Sequence, residues 1–349
     1  MKSEPNLNAR FILRAVAAGL IGACWLQPTL AVASSDDALD AAQAQAQASW
    51  RADIARIEVP ADGCFQAGYP NLYWEPVACS VGQHRAHSVP PKVNEEGSDV
   101  AGNGNDYAVA VNGLISQALG SFPTVAGVTH EQSVGVPAYG DGGVLGPNEY
   151  TLQINTNYTG TTSACKGHAG CVVWQQFIYA TNQLQEGKAA AFIQYWLISW
   201  GTTACPAGFS SDGAGDCYGN SRSVVIPDLK ITTLADVTLS GSAAAGGSDT
   251  VRFTYADHSY AVTVNDAKLD IATVWNQTEF NVVGDAGGSR ADFNKGSSVT
   301  VDLAVTYGSS AAPTCKKRDG TTGESNNLNL GPCTASGGAT PAIEFTESN

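Results

Sequence analysis

Glu279 is the residue whose type and position most directly indicate chemistry. It lies in the stretch WNQTEFNVVGD (residues 275–285), where strand alternation places Trp275, Gln277, Glu279 and Asn281 on one face. Burial there would raise the pKa of the carboxyl group and disfavour its charge, so this position needs a partner or a purpose. Glu279 is therefore a candidate general base, although a Glu on the solvated rim of a sheet would give the same pattern.

A second candidate is Gln194, in the stretch VVWQQFIYATNQLQEGKAAAFIQYWLISWG (residues 172–201). This stretch is typical of two buried strands joined by a short polar segment. Alternation places Gln194 on one strand face with four large apolar residues, Phe192, Trp196, Ile198 and Trp200. An amide among these side chains must either be hydrogen-bonded or face a wet groove.

Polar side chains continue along one face of residues 150–158, where Gln153 and Asn155 alternate with Leu152 and Ile154. We expect this face to bind a substrate through amides and aromatic rings, which hydrogen-bond and stack on ligands respectively. The predicted substrate-binding residues are Gln153, Trp174, Gln176, Trp196, Trp275 and Asn281. Ordinary core packing of the same residues is the structural alternative.

The elements that would position these residues are β-strands. Short strands separated by Gly-rich turns follow one another over some 240 residues, with almost no helical periodicity. This pattern predicts an all-β fold, a two-sheet antiparallel β-sandwich, formed by residues 61–349 as a single domain. Residues 115–129 are predicted to form an edge hairpin because they are small, alternating and interrupted by Pro123.

The N-terminal residues have a different character. Residues 1–33 have a charged start, an apolar run and Ala31-Val32-Ala33, which is typical of a secretory signal peptide. Cleavage of a lipoprotein at Cys24 is the alternative. Residues 34–60 are predicted to be a helical segment or a leader that is removed later, and we expect the protein to be secreted, either extracellular or periplasmic.

The chain is acidic. It has 18 basic and 32 acidic residues, of which residues 1–33 contain three and one, so the remainder has a net charge of −16. Such a charge disfavours nucleic acid as a partner. We also expect no membrane association after signal cleavage, and a monomer.

Eight cysteines follow the signal segment in four close pairs, which predicts the disulfides 64–79, 165–171, 205–217 and 315–333. Metal binding is disfavoured because no C-x-x-C spacing occurs. His84 and His87 lack acidic or cysteine neighbours, and we expect them to be solvated. No metal site and no cofactor are predicted.

The motifs resemble two groups of proteins. Nearly the whole mature chain is similar to a group of secreted bacterial β-sandwich proteins, which bears on the boundaries and not on function. About half of it resembles the eqolisin family of glutamic peptidases, through residues 121–125 (SFPTV), 173–178 (VWQQFI), 192–194 (FIQ) and 275–283, followed by Ala291-Asp292-Phe293. This resemblance implies a concanavalin-like jelly roll.

The eqolisin resemblance also implies a catalytic pair, Gln194 and Glu279, on neighbouring strands. Glu279 would deprotonate a water molecule and the Gln194 amide would bind the oxyanion, at an estimated pH of about 3 to 5 from ordinary to raised Glu pKa values. The implied partner is a polypeptide substrate. The alternative is a lectin-like module in which the same face binds carbohydrate without catalysis.

Overall fold

The structure is a computed structural model, and it describes residues 35–81, 100–135, 143–158, 160–185, 187–201 and 204–349. The predicted signal peptide, Cys24, His84 and His87 lie outside these ranges. The chain divides into two compact units, residues 1–43 and 44–349. The described part of the first unit, residues 35–43, is helical, and the predicted domain boundaries stay predictions.

The described elements are one α-helix, four 3₁₀ turns and 22 strands. The helix α1 is Ser35–Ile54, and the 3₁₀ turns are Ser163–Cys165, Ile231–Asp236, Asp266–Lys268 and Ile271–Thr273. The strands are β1 Gly63–Gly68, β2 Glu75–Val77, β3 Val100–Gly102, β4 Tyr107–Ala110, β5 Gln117–Ala126, β6 Glu131–Gly135, β7 Gly143–Pro147, β8 Tyr150–Thr156, β9 Val172–Gln185, β10 Lys188–Ile198, β11 Ser210–Ser211, β12 Cys217–Asn220, β13 Val224–Pro227, β14 Val237–Ala243, β15 Ser248–Tyr255, β16 His258–Asn265, β17 Gln277–Gly284, β18 Arg290–Phe293, β19 Ser298–Thr306, β20 Thr314–Lys317, β21 Ser325–Ser336 and β22 Ala342–Ser348.

Among the described residues, these strands form two sheets. The thirteen-stranded sheet has the order β2-β1-β16-β15-β14-β5-β19-β22-β21-β18-β6-β7, with β3 beside β21. The nine-stranded sheet has the order β11-β12-β10-β9-β8-β17-β4-β20, with β13 beside β10. The pairing of β18 with β21 is parallel, whereas the other named strands pair antiparallel. The predicted all-β, two-sheet sandwich is therefore confirmed.

The two sheets pack through aromatic side chains. Tyr179 on β9 stacks on Phe253 on β15 with 4.2 Å between ring centroids, and Phe280 on β17 lies 5.0 Å from Phe122 on β5. Alternation along β9 and β17 directs these residues toward the other sheet. The residues between them along each strand therefore face the opposite side, which positions the candidate site.

The predicted strand pair within residues 172–201 is confirmed as β9 and β10, which pair antiparallel. The predicted edge hairpin at residues 115–129 is wrong. Strand β5 lies inside its sheet, between β14 and β19. Pro123 is tolerated there because the register with β19 is interrupted between Thr300 and Asp302, so the missing N–H falls at an irregular part of the ladder.

All four predicted disulfides are confirmed: Cys64–Cys79, Cys165–Cys171, Cys205–Cys217 and Cys315–Cys333. Each closes a short loop, and such crosslinks stabilise a fold mainly by restricting the unfolded chain. Disulfides of this kind are typical of proteins that fold in an oxidising compartment.

Within the second unit, the end of α1 packs on the larger sheet. Trp50 and Ile54 are buried in a small cluster with Phe65 and Trp74. The Arg252 guanidinium donates to the carbonyl of Ile57 at 3.0 Å, satisfying a backbone acceptor just beyond the helix end. In the described residues, no helix is long and apolar enough to cross a membrane.

Candidate active site

Four polar side chains form a row across the nine-stranded sheet. Gln194 on β10 lies opposite Gln176 on β9, Gln176 lies opposite Asn155 on β8, and Asn155 lies opposite Glu279 on β17. Directly opposed residues share a sheet face. We call this side of the sheet, which faces away from Phe122 and Phe253, the amide face.

The row separates the two predicted catalytic residues. β9 and β8 lie between β10 and β17, so Gln194 and Glu279 are three interstrand steps apart. At about 4.8 Å per step, their backbones are about 14 Å apart. The prediction of neighbouring strands is wrong because alternation fixes only the face of each residue, whereas β8, earlier in the chain, inserts between the two.

The Gln194 amide is hydrogen-bonded to neighbouring side chains at its own end of the row. Its Nε2 donates to Asn220 Oδ1 at 2.7 Å, and its Oε1 accepts from Trp196 Nε1 at 2.9 Å. Trp196 Nε1 also lies 3.0 Å from Gln176 Oε1. These contacts satisfy the amide among the aromatic residues, as burial requires.

Glu279 is 2% exposed and accepts hydrogen bonds from Asn155 and Thr321. Asn155 Nδ2 and Thr321 Oγ1 each donate to Oε1 at 2.8 Å, and the Thr321 N–H donates to Oε2 at 2.8 Å. Burial raises the pKa of Glu279, while the donors from Asn155 and Thr321 lower it in part. The carboxyl is thus desolvated yet held by groups that favour its charged form.

Gln153 links the row to its surroundings. Its Oε1 accepts from Gln176 Nε2 at 3.1 Å, Asn155 Nδ2 at 3.2 Å and Thr322 Oγ1 at 2.9 Å. Its Nε2 lies 2.9 Å from Thr151 Oγ1 and 3.4 Å from Glu324 Oε2. Gln153 and Glu279 lie on the neighbouring strands β8 and β17, where diagonal long side chains can reach each other.

Two further carboxyls lie beside the predicted substrate residue Asn281. Asn281 Nδ2 is 3.0 Å from Asp106 Oδ2 and 3.3 Å from Glu347 Oε2. Burial, followed by the charges of Glu279 and Glu347, raises the pKa of Asp106 well above its usual range. Burial also raises the pKa of Glu347 to about 8. Asp106 and Glu347 lie too close together for both to ionise easily, so this pair retains protons in weak acid.

The three predicted tryptophans are not exposed platforms. Trp174 and Trp196 lie on the amide face with 5.8 Å between ring centroids, but both are buried. Trp275 is on the other side, 5.6 Å from the Phe177 ring in the core, so its predicted place on the amide face is wrong. The cause is the 3₁₀ turn Ile271–Thr273. Strand β17 begins only at Gln277, and the alternation does not extend back to Trp275.

The amide face is covered by residues 318–324, which we call the strap. It connects β20 to β21 and contacts the row through Thr321 and Thr322. The sequence interpretation missed Asp106, Thr321, Thr322, Glu324 and Glu347. The one usable signal for the strap was its position between the paired Cys315 and Cys333, because its turn-rich sequence shows no periodicity.

Glu131 on β6 is a buried carboxyl of a different kind. It is 1% exposed, and neither carboxyl oxygen has a hydrogen-bond partner among the described residues. Burial, followed by the charges of Glu149, Asp292 and Asp285, raises the pKa of Glu131 to about 9. It is therefore held as a neutral acid. Over the described ranges, no group of three or more His, Cys, Asp or Glu residues could hold a metal ion.

Comparisons with known proteins give little further information. No family model matches the chain, and no curated protein matches it. Among solved structures, SCP-B, a member of the Eqolisin family of Peptidases in a complex with the tripeptide Ala-Ile-His, is similar at 9% identity and a TM-score of 0.29. The match covers 69% of this chain and 97% of that one. A likeness this remote assigns no role to any residue.

Proposed function

We propose that the protein is a secreted peptidase that hydrolyses polypeptides in weak acid, with Glu279 as the general base. The observation that supports this best is the geometry of Glu279, a buried carboxyl on an amide-lined sheet face that Asn155, on the neighbouring strand, holds through Oε1. A base is most effective when its pKa lies near the working pH. The raised pKa of Glu279 moves the expected acid limb above the ordinary Glu value of about 4.3.

The amide partner in this proposal is Gln153 rather than Gln194. Gln153 lies on the strand next to Glu279, whereas Gln194 is three strands away. Asn155 keeps Glu279 Oε1 oriented from the same strand as Gln153. Gln176 in turn positions the Gln153 side chain.

The chemistry requires one water and these two side chains. Glu279 takes a proton from the water, whose oxygen bonds to the carbonyl carbon while the carbonyl electrons move to oxygen. The Gln153 Nε2–H group donates to that oxyanion. When the oxyanion collapses, the C–N bond breaks and the leaving nitrogen takes the proton from Glu279.

Polypeptide is the substrate class implied by the eqolisin resemblance of the sequence. The carbohydrate alternative has weaker support, because sugar stacking needs accessible ring faces and both Trp174 and Trp196 are buried. The signal-like residues 1–33, together with the four disulfides, support secretion.

Cleavage of an unfolded protein by the purified chain between pH 3 and 7 tests the proposal. We expect Glu279→Gln to abolish turnover and Gln153→Leu to reduce kcat by about 10²–10³, the usual effect of losing an oxyanion donor. The control Glu131→Gln removes a buried carboxyl outside the amide face and should retain activity. Parental rates in Glu279→Gln would exclude this mechanism, and glycan binding unaffected by that substitution would favour the carbohydrate-binding module.

A further inference from the structure

The strap blocks the group that the proposed function requires. Glu279 is 2% exposed, and Thr321 donates to both of its carboxyl oxygens. A general base must contact the water that it deprotonates. In this arrangement the strap holds the positions that a water and a substrate would need.

The strap also contacts the side chains proposed to hold the substrate. Thr322 Oγ1 donates to Gln153 Oε1 at 2.9 Å. Trp174 Nε1 donates to Thr321 Oγ1 at 3.2 Å, and Gln153 Nε2 lies 3.4 Å from Glu324 Oε2. Substrate groups would need these same donors and acceptors.

The close approach of the strap depends on Gly320. A Cβ atom at this position would lie 2.6 Å from Glu279 Oε2 and 2.9 Å from Asp106 Cβ. Real Cβ atoms essentially never come that close to a neighbour, and the Asp106 atom belongs to the buried base of a side chain. A larger residue at 320 therefore forces a shift of the strap or of these two side chains.

The ends of the strap are fixed independently of its middle. The disulfide Cys315–Cys333 joins β20 to β21, the strands on either side of it. At the start of the strap the Arg318 N–H donates to the Asp106 carbonyl at 2.9 Å, and at its end the Asn103 N–H donates to the Glu324 carbonyl at 2.9 Å. Residues 320–322 can therefore leave the amide face while both strands stay in place.

We propose that the strap is an internal competitor of the substrate, closed over Glu279 in the resting protein and displaced when a polypeptide binds. This inference rests on the proposed function and adds a regulatory element to it. When only a fraction of the molecules is open, the apparent affinity for substrate falls by that fraction. The strap should therefore raise KM and leave kcat unchanged.

Hydrogen exchange tests strap opening without any substrate. We expect residues 320–322 to exchange faster than the adjoining strands β8 and β17, through local opening rather than global unfolding. Gly320→Ala should accelerate their exchange about tenfold, since overpacking destabilises the closed form. The matched control is Gly68→Ala, where the nearest atom to an added Cβ is 3.9 Å away. Strap exchange as slow as that of β17, or unaltered by Gly320→Ala, would overturn the proposal.

Kinetics test the competition. Gly320→Ala should lower KM about tenfold at constant kcat, and Thr322→Val, which loses the hydroxyl bond to Gln153, should lower it less. Thr322→Val also replaces Gly320→Ala if the latter does not fold. A fall in kcat at constant KM would make the strap part of the catalytic machinery and refute competition. Faster strap exchange with no cleavage by any variant would instead refute the proposed peptidase while leaving the opening itself established.

Discussion

Glu279 and Glu131 are two buried strand carboxyls that differ in their hydrogen-bond donors. Glu279 accepts hydrogen bonds from Asn155 and Thr321, whereas Glu131 has no partner among the described residues. Burial is the leading cause of the raised pKa in both, but only Glu279 has donors that oppose it. A carboxyl that is only buried stays protonated, as Glu131 does, whereas a buried carboxyl with hydrogen-bond donors can lose and regain its proton.

This difference separates a structural acid from a candidate base. A group held as a neutral acid up to a pKa of about 9 cannot accept a proton from water in weak acid. Glu279 combines desolvation with stabilisation of its charge, which is the combination expected at a catalytic position. The nearby Asp106 and Glu347 add a second source of pH dependence to the amide face.

The largest effect that we expect is on the stability of the protein at alkaline pH, where Glu131 must ionise. The pKa of Glu131 is about 9 when folded and about 4.3 when unfolded, so the folded state binds its proton more tightly. The contribution of the Glu131 proton to the free energy of unfolding is fully present below about pH 4, and it is lost as the pH rises from about 4 to 9. Glu131→Gln keeps the site neutral and should exceed the parent in stability at pH 8.5 by more than about 1.4 kcal/mol, the value of one pKa unit.

Urea unfolding at pH 5 and pH 8.5 measures this difference. Burial also raises the pKa of Asp249 and of Glu347 to about 8. The stability of Glu131→Gln should therefore also fall between pH 5 and pH 8.5, but by less than that of the parent protein. A parent protein equally stable at both pH values would show that Glu131 is solvated, and the contrast with Glu279 would then disappear.

A smaller effect, on the pKa of Glu279, is expected when one of its hydrogen-bond donors is removed so that it resembles Glu131. Asn155→Leu removes the 2.8 Å donor to Oε1 and leaves burial nearly unchanged. Because that donor favours the charged form, its loss should raise the pKa of Glu279 further above its ordinary value. The acid limb of kcat/KM against pH should move up by the same amount. A carboxyl carbon NMR titration measures the pKa whether or not the protein cleaves peptides.

The sequence predicted those parts of the molecule that local pattern determines. The faces of Gln194 and Glu279 follow from two-residue periodicity, and the four disulfides follow from cysteine spacing. The order of strands does not follow from either, because long-range pairing places β8 between β9 and β17. That is why the predicted pair is separated while Gln153, predicted only to bind substrate, lies beside Glu279.

Two further features depended on non-local structure. The strap has no periodicity, and its contacts with Glu279 form only once β20 and β21 are placed in different sheets. The prediction for Trp275 is wrong because of a local feature, the 3₁₀ turn Ile271–Thr273, which ends two residues before it, and the strand alternation begins only at Gln277. Turns of this length lack the apolar repeat by which longer elements are recognised.

The smallest effect is expected at Gln194, and it distinguishes the two possible amide partners of Glu279. Gln194→Leu removes bonds to Asn220 and Trp196 at the far end of the row, without touching any group that contacts Glu279. Its neutral amide, about 14 Å from the carboxyl by strand spacing, should alter neither the pKa of Glu279 nor the rate of cleavage. Some stability should be lost, since Asn220 and Trp196 lose a buried partner.

The comparison is the kcat of Gln194→Leu against that of Gln153→Leu under identical conditions. A loss of kcat in Gln194→Leu as large as in Gln153→Leu would mean that the row closes up around a bound substrate and that Gln194 is the oxyanion donor after all.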